Sequence, residues 1–281
     1  SFPTRRSSDL MKTKFKKQRG ILVVVMSLFL MTACQNENET VTTEETMNDE
    51  LALKSAEIDL ISDDIGLIVN EAVVEAKSTE SFLPPCVVIT SEISTGFREI
   101  TLDFGDGCEL PNGTIVSGII MMSHEVNTDV ALRVIAVSFD NFTRNDVLIE
   151  GTRSIERVLS NDAGNPQSTA AVNMQVTWPD ETTAIREGTR VREWIEGFGS
   201  GTWVDNVFSI TGNATTTGIL GNTHSATITT ALRREAVCAF IVSGTVELSR
   251  NDNTGILAYG EGTCDGEATW TNPNGETVTI Y

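Results

Sequence analysis

The residues that most often carry catalysis are scarce in this chain. His124 and His224 are its only histidines, and each stands alone. Neither sits in a Cys-x-x-Cys or His-Glu-x-x-His arrangement, so a two-histidine metal centre would depend on tertiary convergence. Ser200, within Gly199-Ser200-Gly201, lacks the spacing of a nucleophile elbow and reads as a glycine loop. Asp103-Phe104-Gly105 spells a kinase tripeptide, but no catalytic loop accompanies it. These patterns give no catalytic residue and no cofactor.

Carboxylates are abundant, so their pairing alone carries little information. The densest cluster is Asp103, Asp106 and Glu109, with Glu261 and Asp265 in a matching second loop. Hard oxygen ligands of this type suit Ca²⁺, although the spacing is not that of an EF-hand, and solvated turns are the simpler expectation. A carboxylate-based hydrolase would need two such groups facing each other across a cleft, about 5 to 9.5 Å apart. The aromatic candidates are Trp178, Trp194, Trp203 and Trp270. Trp194 and Trp203 flank a glycine loop at 197–201 and could stack on a sugar ring, whereas core packing is the commoner use of such rings.

The five cysteines divide into one and four. Residues 104–108 (FGDGC) resemble residues 259–264 (YGEGTC), and each run is preceded by another cysteine, Cys86 and Cys238, in a β-prone stretch. Each is also followed by an Asn-Gly turn, at Asn112 and Asn274. Four cysteines allow three pairings, and the duplicated layout favours Cys86–Cys108 with Cys238–Cys264. Loops of that length would stabilise the fold by about 3 kcal/mol each.

The remaining cysteine, Cys34, follows Met31-Thr32-Ala33. This run resembles the lipobox of bacterial lipoproteins, with methionine in the position more often held by another aliphatic residue. The segment before it has the matching form. Residues 1–10 (SFPTRRSSDL) read as a translated sequencing-adapter scar, and Met11 opens a basic stretch with Lys12, Lys14, Lys16, Lys17 and Arg19. An apolar run follows at 21–30, too short for a permanent span of roughly 30 Å of hydrocarbon. Residues 11–33 are thus expected to be a signal peptide, with Cys34 as the lipid attachment point and first residue of the mature chain. Several acyl chains would anchor it stably, at about 0.8 kcal/mol per buried methylene. Residues 34–48 are polar and acidic, and read as a disordered tether. An acidic patch directly after the lipid cysteine also resembles a surface-export signal.

Without residues 1–33 the chain has 13 basic and 38 acidic residues, a net charge of −25, and only Lys54 and Lys77 as lysines. Nucleic-acid affinity depends on neutralising phosphates with Lys and Arg, so no nucleic-acid partner is expected. The expected partners are the membrane, through acyl chains on Cys34, and an envelope protein or glycan.

The elements that must position these residues are mostly strands. One helix is expected over 49–78, capped by Asn48 or Asp49. Leu51, Leu53, Ile58, Ile61, Ile65, Ile68, Ala72 and Val73 would form its apolar stripe, and Glu57, Asp64, Glu71 and Glu75 would lie on the remainder. It must end before Pro84-Pro85. From residue 82 to 281 short β-prone runs alternate with turn chemistry, for example 87–93, 97–104, 114–123, 132–139, 147–158, 170–178, 184–195, 203–211, 225–232, 239–248, 256–259 and 268–272. The fold class is mainly β: an antiparallel meander forming a curled sheet, sandwich or open barrel, in one domain after the helix. Glycines recur mid-strand at Gly118, Gly151, Gly188, Gly212 and Gly244, which predicts bends or bulges that curl the sheet.

Residues 102–108 (LDFGDGC), 260–265 (GEGTCD), Ala268-Thr269 and Asn274-Gly275 resemble an uncharacterised family of Bacteroidota (flavobacterial-type) lipoproteins, over roughly residues 86–281. The resemblance implies a β-rich surface or periplasmic protein, outer membrane-anchored, and brings no activity with it. The reading from sequence is a non-enzymatic cell-envelope lipoprotein acting through binding or structure. The alternatives are a periplasm-facing carrier of an apolar ligand in a curled half-barrel, and a carboxylate-based hydrolase.

Overall fold

A computed structural model describes residues 47–73, 81–126, 132–218 and 222–281. Cys34, the signal segment and the tether up to residue 46 lie outside the described residues, as do positions 74–78 of the expected helix. The elements follow the order helix, then sheet. Helix α1 spans Asp49–Val73. The strands are β1 Val88–Ser94, β2 Phe97–Asp103, β3 Cys108–Glu109, β4 Ile115–Glu125, β5 Leu132–Arg144, β6 Val147–Val158 and β7 Gln167–Thr177. After them come β8 Thr183–Glu196, β9 Val207–Gly218, β10 Thr223–Glu235, β11 Ile241–Arg250, β12 Asn253–Glu261, β13 Ala268–Thr271 and β14 Thr277–Thr279.

The strands form one antiparallel meander in sequence order, with β3 a short spur on β4. The sheet is not closed, because β1 pairs with β2 and β14 with β13, leaving both as edges. Antiparallel neighbours need only short turns, and the turn residues supply them. Gly113 (φ +85°) and Gly275 (φ +84°) take the left-handed backbone that the two Asn-Gly turns require.

Curling follows from the mid-strand glycines. A Cβ on Gly118 would lie 2.1 Å from the carbonyl oxygen of Asn141 on β5, and the β4–β5 register shifts at this point. On Gly212 a Cβ would lie 2.1 Å from the carbonyl oxygen of Thr189 on β8. Adjacent backbones therefore approach more closely than any side chain permits, which bends the sheet toward one face.

That face encloses α1. Asn48 caps the helix by accepting a 2.9 Å hydrogen bond from the Leu51 N–H. Every residue from 58 to 65 is buried, more than two full turns, so no side of this middle part of the helix faces water. The apolar stripe is present as expected, with Ile58, Ile61, Ile65 and Ile68 each at most 1 % exposed. Two expectations for the helix are corrected. Leu53 is exposed, and Asp64 is buried rather than solvated. The physical reason is that the sheet surrounds the helix and brings cations to its polar side.

Two disulfides pin the two ends of the sheet. Cys86–Cys108 ties the approach to β1 onto β3, and Cys238–Cys264 ties the β10–β11 turn to the loop after β12. Both are the pairings that the duplicated layout favours, and they point to an oxidising compartment.

Candidate functional site

The interior between α1 and the sheet is ionic. Asp59 and Asp63 are one helical turn apart and share a face, while Asp64 projects about 100° further round. All three are buried. The inward positions of the strands supply arginines in step with apolar neighbours: Arg153 and Arg157 alternate with Ile155 on β6, and Arg186, Arg190 and Arg192 share a face with Ala184 and Trp194 on β8. Arg144 on β5 and Arg234 on β10 complete the set, and all seven guanidinium side chains are buried.

The pairing is specific. Asp59 Oδ1 accepts from Arg186 Nη2 at 3.0 Å and Arg190 Nη1 at 2.9 Å, and its Oδ2 accepts from the Tyr259 hydroxyl at 3.0 Å. Asp63 Oδ1 accepts from Arg190 Nε at 2.9 Å and Arg192 Nη2 at 3.2 Å. Asp64 Oδ2 accepts from Arg144 Nε at 2.6 Å, and its Oδ1 from Arg234 Nη2 at 2.7 Å. Strands β5 and β10 are five places apart in the sheet, yet one carboxylate holds both. Only a sheet wrapped round the helix allows this. Arg234 also donates to the backbone carbonyls of Cys238 and Phe240, which fixes the Cys238 turn beneath it.

Backbone and small residues make room for these long side chains. Gly66 lies in the helix, where glycine costs about 1 kcal/mol relative to alanine. A Cβ there would stand 2.6 Å from Arg192 Nη2, so its absence lets the guanidinium reach Asp63. Arg192 further lies over the Phe208 ring, 4.9 Å from its centroid.

Electrostatics follow from burial and pairing. Burial alone pushes the Asp64 carboxyl up, but Arg234 and Arg144 more than reverse this and hold it below its ordinary value. Burial depresses Arg190 too, and Asp63 and Asp59 together raise it above the usual arginine range. Arg153 and Arg192 go the other way, to about 9 and about 10, first by burial and then by neighbouring guanidinium groups. His224, 3.1 Å from the Ser55 hydroxyl, is pushed down to about 4 by burial and then by Arg186 and Arg250.

Among the described residues, cavities adjoin α1 in three places. One of about 20 Å³ lies by Ser62, Arg186 and Arg190, and one of about 30 Å³ by Gly66, Arg153, Arg157, Arg190 and Arg192. The third, about 270 Å³, opens at the start of the helix between Leu51, Lys54, Ile58, Trp178, Ala184 and His224. Among the described residues α1 and the arginines fill the curl, where the alternative carrier reading would need an apolar hollow.

The residues singled out from sequence fall elsewhere. Asp103 Oδ1 accepts from the Gly105 N–H, and Asp265 accepts from the Thr263 hydroxyl and the Glu267 N–H. These are turn-capping roles, and among the described residues no three His, Cys, Asp or Glu side chains gather as a metal site. Asp106, Glu109 and Glu261 are exposed. Trp194 is buried against Phe198 and Phe208, and Trp203 packs edge-on to Phe82, so the two are packing residues rather than a paired platform. Trp178 and Trp270 are buried too. His124 and His224 are both buried, His224 facing the helix.

The Asp–Arg interior is what sequence reasoning missed. A signal was present: without residues 1–33 the chain holds 11 arginines against two lysines, and seven of those arginines sit at inward strand positions. Arginine is the cation suited to buried, forked pairing. No family model, curated protein or solved structure matches the chain.

Proposed function

We infer that this chain is an exported lipoprotein of the bacterial cell envelope, of the Bacteroidota type its motifs resemble. Acyl chains on Cys34 hold it at the outer membrane, and it acts through binding or structure rather than catalysis. The observation that carries this reading is the pair of disulfides in the body that follows Cys34, Cys86–Cys108 and Cys238–Cys264, which belong to an oxidising compartment. The interior supports the structural half of the reading. Asp59, Asp63 and Asp64 are each held by two guanidinium groups, so they serve to fix the sheet round the helix. The net charge of −25 without residues 1–33 fits a self-repelling surface protein.

Metabolic labelling with an alkyne fatty acid tests the anchor. The protein should carry the label and sediment with membranes, and Cys34→Ser should lose the label and leave the membrane fraction. An unlabelled wild-type protein would overturn the reading. Protease added to intact cells then separates surface display from the periplasmic face.

A second reading, carriage of a small apolar ligand, draws on the cavity by Leu51, Ile58, Trp178 and Ala184, whose volume of about 270 Å³ lies near the lower end for ligand pockets. Native mass spectrometry of protein purified from its host tests it. A bound apolar species lost in Ala184→Trp would support it, and a bare mass would count against it.

A further inference from the structure

The ionic interior does not balance. Among the described residues, seven buried arginines line the inside of the sheet, against three buried aspartates on α1. Asp59 and Asp64 are taken up by Arg186, Arg190, Arg144 and Arg234, and Asp63 pairs with Arg190 and Arg192 through Oδ1 alone, its Oδ2 having no hydrogen-bond partner. Arg153 meets only a backbone oxygen, donating to the Ser62 carbonyl at 2.8 Å, and neither Arg153 nor Arg157 has a carboxylate partner among the described residues. These two face the same cavity as Arg190 and Arg192, about 30 Å³ in volume, walled on the helix side by Gly66, Val69 and Asn70. Three of the four guanidinium groups there have a buried nitrogen without a hydrogen-bond partner: Arg153 Nε, Arg190 Nη2 and Arg192 Nη1.

An unpaired guanidinium shut away from water is costly, and four around one space also repel one another. Water can satisfy the donors but cannot neutralise the charge. The space admits an occupant of one or a few heavy atoms. We propose that the cavity bounded by Arg153, Arg157, Arg190 and Arg192 is a binding site for a small inorganic anion of about the size of chloride. Forked donors from β6 and β8 would converge on it, and the anion would complete the clamp between those strands and α1. The depressed pKa values of Arg153 (about 9) and Arg157 (about 10), each due first to burial and then to neighbouring arginines, accord with a missing counter-charge.

The test uses the purified full chain, exchanged into sodium gluconate and titrated with sodium chloride at constant ionic strength. The thermal midpoint and the chloride NMR linewidth are followed together. The midpoint should rise saturably with chloride, as for any ligand that binds only the folded state, and the chloride line should broaden. Arg153→Met and Arg157→Met should each abolish both responses. Arg233→Met, at a partly exposed arginine paired with Glu196 and Glu235, should keep them. Should one cavity variant fail to fold, the other and the wild-type titration still decide. Equal wild-type midpoints in gluconate and chloride would overturn the proposal. A rise of unchanged size in the folded cavity variants would overturn it as well.

Discussion

At the scale of single residues, the molecule depends on charges that sequence patterning assigns to solvent. Asp64 shows what this costs if disturbed. Asp64→Asn leaves Arg144 and Arg234 buried without their counter-charge, and removing one partner of such a group typically costs about 3–5 kcal/mol. Urea unfolding of the variant should show that loss without a change in the slope of the transition. Replacing Asp64, Arg144 and Arg234 together by apolar residues should cost much less, since the desolvation penalty disappears with the charges. His224 gives the pH dependence. It faces Ser55, with Arg186, Arg250 and Asp59 near, and its pKa falls from 6.5 to about 4 on folding. The folded state thus holds fewer protons than the unfolded state between those values. Stability from this group is complete above pH 6.5 and disappears as the pH falls to about 4, a loss of roughly 3 kcal/mol. Asp64 acts in the same sense further down, its depressed carboxyl losing its contribution as acid protonates it. Urea midpoints measured from neutral pH to pH 4.5 should fall in the wild type, and His224→Gln should remove most of the fall above pH 4.5.

At the scale of elements, glycine position decides where the sheet bends. Gly118 and Gly96 make the informative pair, since both have positive φ, +77° and +86°. Around Gly96 there is open space, whereas a Cβ on Gly118 would overlap the β5 backbone. Gly96→Ala should cost about 1 kcal/mol for the strained backbone alone. Gly118→Ala should cost roughly 3 kcal/mol or more, because rigid backbone must also move. Chemical denaturation of the two variants reads the difference. The bends were legible in the sequence because glycine stands out within β-branched runs, as in Val116-Ser117-Gly118. Strand order was legible because each turn carries its own chemistry, and β6 at Val147–Val158 has the bounds that its pattern predicts. The short β3 and β14 were not foreseen, since two or three residues carry no periodicity. Strand β9 begins at Val207 rather than near Trp203, because Trp203 is used in a loop to cover Phe82. The arginine clamp was legible only as an excess of arginine over lysine, which does not say where the cations lie. Alternation on β8 reads as polar-out until it is known that a helix with three aspartates lies inside.

At the scale of the whole molecule, a wrapped but unclosed sheet needs fastening, and it is fastened three ways: the helix fills it, the Asp–Arg pairs clamp it, and the disulfides pin its two ends. The loops closed by Cys86–Cys108 and Cys238–Cys264 span 22 and 26 residues. Replacing either pair with serines should lower stability by about 3 kcal/mol, read from denaturant midpoints under oxidising conditions. This fastening requires α1 to be the core of the body rather than a helix held out for a partner. Native-state hydrogen exchange across the helix tests that directly. Amides of residues 60–67 should exchange only through global unfolding, as slowly as those of β6–β8, and should accelerate together with the strands in Asp64→Asn. Exchange of those helix amides at rates far above the strands would contradict it, because α1 would then leave the sheet while the sheet stayed folded.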